Sequence, residues 1–174
     1  MIEVLRLANA DVARGLRTVA EVLDTASGPT ALIAADLVIA DAALAQVTAD
    51  PFVGTALLVR PDNDGDTRVR HHLVNAVGSA FHRVTAPDHV FVGALVVAAK
   101  DAAAAGEAIT ATADAVESGD LGIGERVHDV VQLVAIAVVR SGIPCKAIEL
   151  VDVPWFRSPA DPGAAAQAVA AVSN

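Results

Sequence analysis

Aromatic residues make up only 3% of this chain, and tyrosine is absent. A core without large rings must be built from Ala, Val, Leu and Ile, which suits thin helices packed on a sheet. There is one cysteine, Cys145, which excludes an internal disulfide and fits a reducing compartment. No glycine-rich phosphate loop occurs anywhere, so the usual backbone cradle for a triphosphate is missing. Positive charge is short too: 12 Lys and Arg stand against 21 Asp and Glu, a formal net charge of −9. That balance argues against nucleic acid as a partner, which demands a basic face, and against docking on anionic lipid through a polybasic patch. Residues 1–10 lack a basic start followed by an apolar run, so no signal peptide is read there. No run reaches the ~18–20 apolar residues that span a bilayer. The best candidate, Val127 to Val139, is interrupted by His128, Asp129 and Gln132. The polypeptide alone is expected to be soluble.

What is present is a hydrophobic fraction of 54% in 174 residues, enough for one domain with a sizeable core. Ile2 to Leu7 alternates apolar and polar residues, which predicts a strand with one covered face. Asn9 or Asp11 caps a helix over residues 10–26, whose Val12, Leu16, Val19 and Leu23 recur at three- and four-residue spacing before Gly28–Pro29 stops it. Buried strands are predicted at 30–35, 53–59, 90–98 and 145–151, with helices at 41–49, 101–117, 127–141 and 159–172. Residues 66–82 read as an exposed two-stranded ribbon, an insertion or sheet edge. The alternation of strands and helices predicts an α/β fold: one three-layer, Rossmann-like domain over residues 1–174 with a mostly parallel sheet. The sequence ends directly after its last helix, which reads as a domain boundary within a longer protein.

The run Thr30 to Asp41, TALIAADLVIAD, places Asp36 at the carboxyl end of a buried strand. Ligands collect at such ends in open α/β sheets, and a carboxylate there can hold a metal ion beside a phosphate. Asp36 is therefore the candidate metal ligand, with a helix cap or a solvated loop carboxylate as the alternative; Asp41 reads as a helix cap. Asp62 to Asp66, DNDGD, lacks calcium-loop spacing because glycine falls at Gly65, and reads as a hairpin turn. Adjacent His71 and His72 point to opposite faces of a strand, and the set with His82, His89 and His128 has no zinc spacing. Phe81-His82-Arg83 offers a polar contact to a cleft or plain surface. Gly122-Ile123-Gly124 reads as a loop, since a dinucleotide fingerprint needs a third glycine and a preceding strand. Ser79 and Ser141 have no nucleophile-elbow context. Cys145 sits beside Lys146, which can lower a thiol pKa, although a buried strand cysteine is the plainer reading.

The segment TALIAADLVIADAALAQV is similar to the nucleotidyltransferase-like sugar-phosphate transferases, in which a core strand ends in a metal-binding aspartate. The tail WFRSPADPGAAAQAV resembles their closing Asp-x-Asp-Thr-Pro-Glu-Asp segment, with Ser158, Pro159, Ala160 and Asp161 on its Thr-Pro-Glu-Asp part. The two upstream positions, acids in that family, hold Trp155 and Arg157. Only Asp36 remains of the metal set, and the Arg157 guanidinium would repel a metal ion. Longer similarity, through VLRLANADVARGLRTVAEVLD, ALIAADLVIADAAL, VFVGALVVAAKD and VVQLVAIAVVRSGIPCKAIEL, looks like the soluble N-terminal domain of certain actinobacterial CDP-alcohol phosphatidyltransferases. That family's membrane motif, Asp-Gly-x-x-Ala-Arg continuing to two further aspartates, is absent from this chain.

The resemblance implies a non-catalytic accessory or regulatory domain in phospholipid synthesis. Its partner would be a membrane catalytic domain of the same chain, at the cytoplasmic side of the membrane, and it would need no cofactor. The alternative is an active cytidylyltransferase joining CTP to an alcohol phosphate such as inositol phosphate. That reading needs magnesium at Asp36 and a new phosphate site, for which Arg14 and Arg17 are the nearby cations on offer. A third reading is a homo-oligomerisation module using Ala-rich faces such as Ala102 to Ala113.

Overall fold

A seven-stranded mixed sheet carries the core of the chain in the computed structural model, which describes residues 3–8, 11–39, 45, 54–79, 83–119, 129–151 and 155–157. The strands are β1 (Glu3–Leu7), β2 (Thr30–Ala34), β4 (Ala56–Pro61), β5 (Thr67–Arg70), β6 (Leu73–Val77), β7 (His89–Val97) and β8 (Lys146–Glu149). Their spatial order is β1-β2-β7-β4-β8-β6-β5. A separate two-stranded ribbon pairs β3 (Leu37–Ile39) with β9 (Trp155–Arg157) antiparallel. The helices are α1 (Val12–Thr25), α2 (Ala102–Ser118) and α3 (Val130–Arg140).

The α/β class stands, but the sheet is mixed where a mostly parallel one was expected. Only β1–β2 and β4–β8 run parallel among the described pairs. The interior strand β7 is antiparallel to both neighbours, β2 and β4. The error has a physical cause. β2 is buried along its whole length and β7 nearly so, and a run apolar on both faces encodes burial, not direction. The predicted helix 41–49 apart from Ala45, the predicted helix 159–172, the Gly122–Gly124 loop, Phe81 and His82 lie outside the described residues.

Each helix is set by local chemistry. Asp11 caps α1 by accepting a 3.0 Å hydrogen bond from the Arg14 amide, worth about 1 kcal/mol. Leu16, Val19 and Leu23 form its fully buried stripe; each such side chain contributes roughly 1.5–3 kcal/mol. Asp129 caps α3 by accepting from the amides of Val131 and Gln132. α3 is apolar nearly all round and buried from Val130 to Val138 except at Gln132. Gly119, at φ +74, ends α2 in the left-handed conformation. Across the surface, Arg17 of α1 grips Glu117 (3.2 and 2.7 Å) and Asp114 (2.8 Å) of α2. These groups are exposed, so the pairing fixes register more than stability.

The ribbon differs in detail from its expected form. Its tip is His71–His72, both left-handed at φ 51 and 62, so these residues make a two-residue turn and not a strand with alternating faces. The 62–66 segment is a turn too, but it joins β4 to β5, which do not pair with each other. There Asp66, largely buried, accepts from the Phe91 amide, the Thr67 hydroxyl and the Gln132 amide group at 2.8–2.9 Å. Burial pushes its carboxyl above the ordinary 3.8, against the pull of those hydrogen bonds. One residue before it, a Cβ on Gly65 would run into the His89 carbonyl. Gly65→Ala is expected to lower stability by about 1–3 kcal/mol, read from the urea midpoint; an unchanged midpoint would contradict this close approach.

Candidate functional site

Asp36 lies in the turn just past β2, two residues beyond its last residue, Ala34. Two backbone features shape the space in front of it. The pairing of β7 with β4 shifts register between Leu57 and Val59. Opposite that shift is Gly93, at φ +100, a conformation that side-chain-bearing residues rarely adopt. A Cβ on Gly93 would come within 2.6 Å of Arg157 Nη1. The glycine is therefore what lets the Arg157 side chain lie against β7.

From that position Arg157 reaches two carboxylates. Its Nε and Nη2 both donate to Asp36 Oδ1 at 2.7 Å. Nη2 also meets Asp129 Oδ2 at 2.6 Å. Asp129 thus divides its oxygens: Oδ1 caps α3 and Oδ2 holds the guanidinium. The three side chains are one-quarter, about two-fifths and about one-fifth exposed for Arg157, Asp36 and Asp129. Short, charge-assisted bonds in such partly dry surroundings are strong for their kind. They tie together three regions distant in sequence: the end of β2, the ribbon strand β9 and the start of α3.

This donor set does not fit a divalent metal. Magnesium or calcium needs several oxygen ligands; here two carboxylates converge, and a full positive charge already sits between them. A divalent ion about 4 Å from the guanidinium would be repelled by roughly 8 kcal/mol at an effective dielectric of 20. Among the described residues, no group of three or more His, Cys, Asp and Glu side chains could hold a metal ion.

The other sequence candidates fall elsewhere. Arg17, offered as a cation for a phosphate at Asp36, is committed to Asp114 and Glu117. Cys145 is buried, and burial together with the negative charge of Asp101 pushes its thiol up to about 12, so Lys146 does not activate it. His89, also buried, contacts Asp88 through Nδ1 at 2.7 Å and Glu149 through Nε2 at 3.3 Å. Burial alone would raise the Asp88 carboxyl, but the His89 hydrogen bond, the Val69 amide and the charge of Arg70 hold it below the ordinary value. Sequence reading singled out Asp36 and noted Arg157, but missed Asp129 as a site residue. The predicted helix 127–141 enclosed it, whereas the observed helix starts at Val130 and makes Asp129 its cap.

No protein-family model and no curated protein matches the chain. Solved structures do match in fold. The inositol-1-phosphate CTP transferase from T. maritima aligns at TM-score 0.59 and 12% identity, covering 95% of this chain and 64% of that one. The CTP:phosphocholine cytidylyltransferase from Streptococcus pneumoniae aligns at TM-score 0.53 and 13% identity, covering 94% and 64%. The UDP-glucose pyrophosphorylase from Acinetobacter baumannii aligns at TM-score 0.53 and 13% identity, covering 91% and 55%. The chain therefore spans less than two thirds of the length of these structures. The likeness shows the fold: nucleotidyltransferase-like α/β.

The Arg157 cluster is testable by a double-mutant cycle. Arg157→Leu leaves two facing carboxylates without their cation and is expected to lower stability by about 1–3 kcal/mol. Gly93→Ala forces an unfavourable φ and displaces the guanidinium, at a similar expected loss of roughly 1–3 kcal/mol. Because the two share one contact, the double variant should lose at least about 0.5 kcal/mol less than the sum. Strict additivity in urea unfolding would contradict the contact.

Proposed function

We propose that this chain is a non-catalytic, nucleotidyltransferase-like accessory domain, with Arg157 replacing the metal ion that such a site would use. The observation that carries this reading is the arginine held between Asp36 and Asp129. A guanidinium matches carboxylate charge permanently, whereas a catalytic metal must be free to bind and reposition a triphosphate. The missing glycine-rich loop points the same way. In this reading Asp36 has passed from metal ligand to structural anion.

The accompanying activity would be supplied by a membrane CDP-alcohol phosphatidyltransferase domain of the same chain, the context implied by the sequence resemblance. Among the described residues no helix is long and apolar enough to cross a membrane, so anchoring would fall to that other domain. The present domain would face the cytoplasm and assist assembly, regulation or delivery of a CDP-linked substrate. Homo-oligomers remain part of the proposal, but not through the whole 102–113 stripe, because Ala102, Ala105 and Ala113 are buried within the chain.

The competing reading is an active cytidylyltransferase, favoured by the fold likeness to the inositol-1-phosphate CTP transferase. Calorimetry with CTP and magnesium, followed by an assay for pyrophosphate release with inositol phosphate, separates the two. The accessory reading predicts no magnesium-dependent CTP binding and no release above that of Asp36→Ala. Tight metal-dependent binding, or release that Asp36→Ala abolishes, would overturn it.

A further inference from the structure

We propose that Arg68, Arg83 and Arg140 form a binding site for a phosphate-bearing anion. The three arginines come from separate elements: β5, the segment before β7 and the last residue of α3. They line one cavity of ≈ 330 Å³ together with Asn75, and among the described residues no Asp or Glu lines it. Arg17, Arg60, Arg70 and Arg157 are all salt-bridged to carboxylates. Among the described residues, none of Arg68, Arg83 and Arg140 is. Arg68 is half-buried and donates from Nη1 to the Thr85 carbonyl at 3.3 Å, which holds it in the cavity wall. Arg83 and Arg140 are exposed and have free donors.

In a chain with 21 acidic side chains and a net charge of −9, three unmatched guanidiniums around one cavity are not a charge-balancing surface. They repel one another, and an anion between them relieves that repulsion. A phosphate suits the arrangement better than a carboxylate. Its two charges and three free oxygens can be shared by three planar forks, each able to donate in pairs. The carbonyl end of α3 lies beside the cavity, but its partial charge of about half a unit is outweighed by three full positive charges. Ile136 and Val139 give the cavity an apolar wall, so the organic part of a small phosphomonoester has a surface to lie on. The volume falls at the small end of ligand sites.

This site is distinct from the Arg157 cluster. Asp129 and Arg140 stand at opposite ends of α3, about 16 Å apart at the helical rise. The inference therefore does not depend on whether the Asp36 region is catalytic.

The test is a titration with inorganic phosphate at low ionic strength, followed by amide NMR. Saturable shifts are expected around Arg68, Asn75 and Arg140. Arg83→Gln and Arg140→Gln alter exposed side chains, so the fold should survive; each is expected to weaken binding about tenfold. Arg6→Gln, an exposed change on β1, removes the same charge elsewhere and should leave affinity unchanged. A parallel arm measures sedimentation with vesicles containing phosphatidic acid, whose headgroup is a phosphomonoester. Saturation by free phosphate without vesicle retention assigns the group to a small molecule; retention lost in both variants assigns it to a lipid headgroup. No shifts and no retention would overturn the site, as would equal weakening by Arg6→Gln.

Discussion

The bond set of Arg157 with Asp36 and Asp129 is the constraint around which the candidate site is organised. It requires a strand end that presents a carboxylate, a helix that begins with one, and a glycine that leaves room between them. All three conditions are met by backbone features: the turn after β2, the N-cap of α3 and the left-handed Gly93 opposite a register shift. Remove the side-chain void at Gly93 and the guanidinium loses its place. Remove the guanidinium and two carboxylates face each other across a partly dry cleft, an arrangement that favours protonation, a bound cation or local opening. A single long side chain thus ties the end of β2, the strand β9 and the start of α3 together.

The rest of the molecule supports this point without adding chemistry to it. The core is aliphatic and continuous, running from Leu16 of α1 through Leu57 and Leu95 to Val134 of α3. The buried polar groups are mostly spent on holding irregular backbone. Asp66 and Gln132 fasten the ribbon to β7 and α3, and the Thr55 hydroxyl donates to the Asp101 carboxylate at 2.7 Å while accepting from the Ala98 amide. Unmatched positive charge is gathered instead at the far end of α3, where Arg68, Arg83 and Arg140 surround a small cavity. The two ends of one helix therefore carry opposite electrostatic solutions: an anion pair satisfied from within, and a cation cluster open to something from outside.

Much of this was legible in the sequence, for definable reasons. α1 was readable from Asp11 and the spacing of Leu16, Val19 and Leu23. β2, β4 and β7 were readable from apolar runs between breakers. Strand direction was not, because β7 is apolar on both faces whichever way its neighbours run. The three-residue strands β3 and β9 are too short to show any period, so the ribbon that presents Arg157 was invisible. Asp36 was found by its position at a strand end. Its partner Asp129 was not, because the predicted helix 127–141 enclosed it as an interruption of an apolar run, and nothing local marks its cap role, or its second oxygen as engaged across the fold. Of the arginine cavity, only Arg83 was marked, as part of Phe81-His82-Arg83 offered to a cleft; Arg68 and Arg140 lie 72 residues apart, and only the packing of α3 on the hairpin brings the set together.

The central claim is that a side-chain cation, and not a metal ion, sits between Asp36 and Asp129. Paramagnetic relaxation by Mn²⁺ tests it directly. In the wild type, the amide signals of Leu37 and Val130 should broaden no more than those of an exposed acidic surface residue such as Glu21. In Arg157→Asp, which replaces the cation by a third carboxylate, the same two signals should broaden selectively and saturably. Selective broadening at Leu37 and Val130 in the wild type would show that a metal ion reaches the site despite Arg157, and would contradict the account.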